Sequence, residues 1–165
     1  DAEYWIDKLG LQQHPEGGYF SETYRSDEIL DRSDLPDRYN STRVFGTSIY
    51  FLLTTQSVSN FHRLRSDEIW HFHYGQAAKI HFIDEQGAHS EHLIGCDLEQ
   101  GEKLQVVIPK GTWFAAEVIN NNDYALVSCT VSPGFDFSDF ELASRKQLTE
   151  LFPNHKAVID KLTRI

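Results

Sequence analysis

Apolar and polar residues alternate along most of this chain, and that alternation predicts a protein built from short strands. Tyr19–Arg25 reads as the first of them, and a polar stretch over 26–41 containing Pro36 reads as a surface loop. Further β-rich segments cover 44–54, 57–64, 68–74, 78–84, 89–94, 104–108, 112–119 and 124–131. Turn residues punctuate them: Gly75, Glu85-Gln86-Gly87, Gly95, Pro109-Lys110-Gly111, Asn120-Asn121-Asn122-Asp123 and Pro133-Gly134. Strands recurring roughly every 8 to 12 residues predict a sandwich or barrel.

The period changes at both ends. Ala2, Trp5, Ile6 and Leu9 fall at helical spacing and stop at Gly10. Ser138-Asp139-Phe140-Glu141 has the form of a capping box, which predicts a helix starting there. Leu148, Leu151 and Phe152 continue at helical spacing, Pro153-Asn154 interrupt, and Val158, Ile159 and Leu162 form a second stripe. Such short helices need a surface to cover, so they are expected to pack outside the β-structure. No internal repeat and no second domain is visible, and residues 1–165 read as one all-β domain.

Composition adds limits. Hydrophobic residues make up 40% and aromatics 13%, with no Met, so rings and branched aliphatics must fill the core and wall any pocket. With 15 basic and 25 acidic residues, the net charge is −10 and no basic stripe is present; a nucleic-acid partner is not expected. No apolar run approaches the ~20 residues of a membrane span, and no basic-then-apolar leader is visible. Cys96 and Cys129 form no disulfide framework, and Cys129 shares a strand face with Ala125, Val127 and Val131 as a packed thiol. A cytoplasmic location is the simplest expectation.

One stretch carries candidate chemistry, from Ser59 through His62 and Glu68 to Gly75. It resembles the first cupin motif, in which a His-x-His pair precedes a Glu and a Gly follows after six intervening residues. Glu68 and Gly75 fit that half, and His62 stands at the second histidine. Asn60 stands at the first, and one extra residue separates His62 from Glu68. Gly101 and Pro109-Lys110-Gly111 match the second motif loosely, but Phe114 occupies the third histidine's place. Two of three imidazoles are missing, which predicts neither a metal nor another cofactor in the cavity.

Four blocks together resemble one cupin subfamily without an assigned activity. They are His14-Pro15-Glu16-Gly17-Gly18-Tyr19-Phe20, the segment from Phe61 to Phe72, Pro109 to Ala116, and Pro133 to Leu142. The resemblance implies a jelly-roll barrel, a pocket and a homodimer. A fainter likeness is to sugar-nucleotide epimerases of the dTDP-4-dehydrorhamnose 3,5-epimerase type, through Gly18 to Glu22 and Asn60-Phe61-His62. Gly17 replaces the arginine of that pattern, against a nucleotide-sugar substrate.

Strand parity then sorts the side chains. Asn60 and His62 share a face, as do Glu68, Trp70 and Phe72, so adjacent strands would place His62 beside Glu68 inside. That pair is either a proton relay or a hydrogen-bonded pair that only orders the pocket. Glu22, Arg25, Tyr50, Asn60, Trp70, Phe72 and Phe114 are expected to contact a ligand. His71 and His73 are aimed at the opposite face, His81, His89 and His92 are expected in solvent, and His14 is given a structural place in its turn. Asp136 and Asp139 are assigned to the turn and the helix cap. The leading expectation is a cupin that binds a small polar or carbohydrate-like molecule; an epimerase or isomerase with His62 as base is the alternative, ahead of a metal-dependent dioxygenase. A structural or storage barrel would leave these pocket residues unused.

Overall fold

The computed structural model describes residues 1–120 and 123–164, so the expected Asn120–Asp123 turn falls partly outside the described residues. Helix α1 (Ala2–Lys8), capped by the Asp1 side chain, precedes strands β1 (Gln12–Gln13), β2 (Tyr19–Arg25), β3 (Ile29–Leu30), β4 (Arg43–Val44) and β5 (Thr47–Thr54). Then come β6 (Ser59–Arg63), β7 (Asp67–Gly75), β8 (Ala78–Ile83), β9 (His89–Ile94) and β10 (Gln105–Ile108). Strands β11 (Trp113–Val118), β12 (Tyr124–Ser132) and β13 (Glu141–Leu142) complete the set, followed by helices α2 (Arg145–Leu151) and α3 (Lys156–Lys161). No helix among the described residues is long and apolar enough to cross a membrane.

Apart from the separate β3–β4 pair, the strands form two facing antiparallel sheets, one ordered β1-β2-β5-β12-β7-β10 and the other β13-β6-β11-β8-β9. Alternate residues of both sheets meet between them: Phe51, Leu53, Trp70, Val127 and Cys129 from the first, Ile80, Phe82, Phe114 and Ala116 from the second. The outer face of the smaller sheet is covered by α2 and α3, with Phe61, Ile83 and Trp113 against Leu148, Ile159 and Leu162. Helix α1 covers part of the larger sheet's outer face, over Leu52 and Leu126. The fold is therefore the expected all-β jelly-roll sandwich with helices outside.

Two local expectations are corrected. Residues 26–41 are not merely surface, because Tyr39 is fully buried and its hydroxyl lies 2.7 Å from Ser66 Oγ. Ser138 caps no helix: Glu141 is in β13, paired with Arg63, and α2 starts later behind Ser144. Asp136 caps the short turn at 137–139, while Asp139 receives Arg43 instead. Arg43 Nε and Nη2 donate to the two Asp139 oxygens at 2.7 and 2.5 Å, with both side chains buried. A lysine has no planar fork to reproduce that pair. Arg43→Lys is expected to lower stability by about 1.5 kcal/mol, the worth of one charged hydrogen bond, in urea unfolding.

Candidate functional site

A cavity opens between the sheets at the end where β2, β5, β6, β7 and β12 converge. It leaves about 70 Å³ for the centres of water-sized molecules. At roughly 10–15 Å³ per water, that is space for a handful of waters or one compact organic molecule. Phe20, Ile49, Phe51, Leu64, Val131, Phe135 and Phe137 supply the apolar wall. His14, Glu16, Glu22, Arg25, Thr47, His62, Glu68 and Cys129 supply the polar groups.

Glu16 sits at the base, held by the tight turn between β1 and β2. Gly17 has φ +111°, and a Cβ there would run into the Val58 carbonyl oxygen, so only glycine lets the turn lie this close to β6. Asn60 fastens the turn: its backbone N–H donates to Glu16 O at 2.9 Å, and its Nδ2 donates to the same oxygen at 2.5 Å. Glu16 Oε1 accepts from Ser59 Oγ at 2.7 Å, and Oε2 lies 3.0 Å from His62 Nε2 and 3.4 Å from His14 Nδ1.

His62 Nδ1 lies 2.8 Å from the Asn60 carbonyl oxygen. A carbonyl only accepts, so Nδ1 carries a proton; Nε2 then shares the remaining one with Glu16. Burial works against charge on both partners. It is outweighed at Glu16 by His62, His14 and Ser59, which hold that carboxyl below its ordinary value. At His62 burial is outweighed by Glu16, Glu68 and the Asn60 carbonyl, which hold the imidazole above its ordinary value. The pair is a buried imidazolium–carboxylate. His14, by contrast, is lowered, chiefly by burial.

Glu68 faces this pair from the opposite sheet. Burial first, and then repulsion from Glu16, push its pKa up to about 7, against smaller opposing effects of His62, Cys129 and Trp70. The Cys129 thiol is pushed well up by burial and by Glu68, so it stays protonated and is no nucleophile. At the mouth, Arg25 Nε and Nη2 donate to the Glu22 oxygens at 2.9 and 2.8 Å, and Arg25 also reaches Phe135 O. A register shift between Glu22 and Tyr24 turns Arg25 to the same side as Glu22 and leaves Tyr24 exposed.

The cavity thus brings together four of the expected residues, Glu22, Arg25, His62 and Glu68. Strands β6 and β7 lie in different sheets, so His62 meets Glu68 across the sandwich rather than along adjacent strands, and its direct partner is Glu16. The other five do not line the space. Tyr50 pairs with Ser21 on the outer face and its ring lies 5.8 Å from His73. Trp70, Phe72 and Phe114 pack into the core, Phe114 with its ring centroid 4.0 Å from that of His62. Asn60 acts on the Glu16 turn. His71 and His73 point outward as parity requires, His71 to Thr130 Oγ1 at 3.0 Å. His14 is a cavity residue, not only a turn residue.

The donor set does not fit the three-imidazole metal site of the cupin motif. Both His62 nitrogens are engaged, Asn60 is spent on a backbone oxygen, and Phe114 stands in the third position. His14, Glu16, Phe135 and Phe137 were not among the expected ligand contacts. Their contacts span dozens of residues, beyond any local periodicity. The available signals were a Glu lodged between Pro15 and two glycines, and three rings in a loop with no regular element to bury them.

Two facing antiparallel sheets with a His- and carboxylate-lined cavity at one end define a cupin. The chain belongs to the family described as Cupin superfamily (DUF985), whose model matches residues 3–143. It is 32% identical over 163 residues to the uncharacterized protein YML079W of Saccharomyces cerevisiae, covering 92% of this chain and 80% of that one. The structure of protein SO0799 from Shewanella oneidensis superposes with TM-score 0.90 at 43% identity, over 99% of this chain and 98% of that chain. A hypothetical protein from Leishmania major gives TM-score 0.90 at 41% identity, over 99% of each chain. Oxalate decarboxylase from Bacillus subtilis shares the fold alone, with TM-score 0.53 and 16% identity over 91% of this chain and 36% of that chain.

Proposed function

We propose that the protein binds a compact, uncharged or weakly polar organic molecule in the cupin cavity, with its apolar part among the phenylalanine rings and a hydroxyl or carbonyl at Glu68. The observation that carries this reading is Glu68 itself: a buried carboxyl without a salt-bridge partner among the described residues, titrating near neutrality, able to donate or accept. The other charges are already compensated, His62 by Glu16 and Arg25 by Glu22. Among the described residues that line the cavity no cation is left unpaired for a polyanion such as a nucleotide sugar, whereas a hydroxyl-bearing ring does not need one.

A second reading, acid–base catalysis, is favoured by the same titration near neutrality. Glu68 is then the group that exchanges a proton with the ligand. His62 is disfavoured as the base, because both its nitrogens face acceptors and carry protons. A homodimer, untouched by these arguments, remains part of the proposal and is checked by light scattering on the eluting protein.

A thermal-shift panel of monosaccharides, small hydroxy acids and nucleotide sugars, followed by titration of any hit, tests the reading. A neutral hydroxyl compound is expected to bind, and Glu68→Gln is expected to weaken it about tenfold, the cost of one charged hydrogen bond. Binding that is indifferent to Glu68→Gln, or confined to the nucleotide sugars, would overturn it. Solvent deuterium appearing in the recovered hit would select the catalytic reading.

A further inference from the structure

The outer face of the smaller sheet carries a second cluster that the cavity does not use. Inward residues of β8, Ile80 and Phe82, fill the core, so His81 between them points out. The β8–β9 register sets His81 opposite Glu91 and Ile83 opposite His89, which puts both imidazoles and the carboxylate on one patch. His81 is buried, whereas the sequence reading placed it in solvent. His81 Nδ1 lies 3.2 Å from His89 Nε2 and 3.5 Å from Glu91 Oε1, and the three ligand atoms all fall within 4.8 Å of one another. Ligands bound to zinc at about 2.0–2.1 Å in a tetrahedron sit roughly 3.3 Å apart. The His81–His89 and His81–Glu91 separations of 3.2 and 3.5 Å match that edge.

From these distances we infer that His81 Nδ1, His89 Nε2 and Glu91 Oε1 form a site for a borderline divalent cation of the Zn²⁺ type, outside the cupin cavity. The surroundings are organised for it. Glu117 Oε1 lies 3.2 Å from His81 Nε2 and accepts its proton, which fixes the tautomer with the Nδ1 lone pair facing His89 and Glu91. Glu117 Oε2 is held by Lys161 at 2.5 Å, and Glu91 Oε2 by Lys79 at 2.8 Å. Lys79 therefore occupies one oxygen of Glu91 and leaves Oε1 turned to the imidazoles. Glu91 is 44% exposed, so a bound ion would take its fourth ligand from solvent on that side. A bound ion would clamp the edge strand β9 to β8.

The test is a Zn²⁺ titration of the metal-stripped full chain against a chromophoric chelator, with melting temperature read in parallel. One Zn²⁺ per chain is expected, with a rise in melting temperature. His89→Ala and Glu91→Gln are expected to abolish saturable binding, and Glu117→Gln to weaken it about 10- to 100-fold through the loosened His81. His89 and Glu91 are not core residues, so circular dichroism should show these variants folded. Co²⁺ in place of Zn²⁺ should give the intense visible bands of a tetrahedral site in wild type and not in His89→Ala. No saturable binding, binding undiminished in His89→Ala, or binding lost in Glu68→Gln would overturn the assignment.

Discussion

Glu16→Ala is expected to cost about 3–5 kcal/mol of stability at neutral pH, because it leaves the buried His62 imidazole without its counter-charge. In wild type, Glu16 answers the protonated Nε2 of His62 and also takes the Ser59 hydroxyl. The truncation leaves both donors facing a void, and the β1–β2 turn loses its anchor on β6. Urea unfolding measures the loss directly, and a melting temperature lower by about 10 °C is expected for a chain of this size. Glu16→Gln should cost much less. Its amide can donate to His62 Nε2 while the ring keeps Nδ1–H on the Asn60 carbonyl, a neutral arrangement with every group paired.

The pH dependence distinguishes an ion pair from a merely packed one. Glu16 lies below its ordinary value of 4.5, so its contribution is present above that pH and is lost as pH falls through the lowered value. His62 lies above its ordinary 6.5, so its contribution is complete below 6.5 and is lost as pH rises through the raised value. The gap between wild type and Glu16→Ala should therefore be widest between these ordinary values. In Glu16→Gln the His62 titration, followed by NMR, should move down, since its chief neighbouring charge is gone. A His62 that titrates identically in wild type and Glu16→Gln would mean the pair does not form.

What could be read from the sequence was what local periodicity encodes. The bounds read for Tyr19–Arg25 and His89–Ile94 match β2 and β9. Parity also aimed His62 and Glu68 inward and His71 and His73 outward, and at Glu68 and His71 the β7–β12 ladder is unbroken. It misled at β2, where a bulge reverses the alternation after Glu22 and carries Arg25 into the cavity. Tyr50 was placed by residue type rather than by phase: its neighbour Phe51 faces in, so Tyr50 faces out. Glu16 escaped because its meaning lies in three partners from β6 and its own turn. Asp139 looked like a cap because sequence spacing cannot tell a capping serine from one beside a buried arginine.

Glu68→Gln should alter the pH profile of stability more than its value in acid. A carboxyl raised from 4.5 to about 7 holds a proton in the folded state that the unfolded chain has released, so wild-type stability falls as pH climbs through that interval. The full difference corresponds to about 3 kcal/mol, complete only above the raised value. Glu68→Gln keeps the shape and has nothing to ionise. Urea unfolding from about pH 5 to pH 8 should show wild type losing about 2.5 kcal/mol more than the variant across the range. The variant would then be the more stable protein at the alkaline end. Parallel curves would show that Glu68 ionises freely and that the cavity is wetter than its lining suggests. The same proton governs binding: a ligand carbonyl needs Glu68 protonated, so its affinity should fall as pH rises through about 7, whereas a ligand hydroxyl donating to the carboxylate should gain. The direction of that change identifies which of the two groups occupies the base of the cavity.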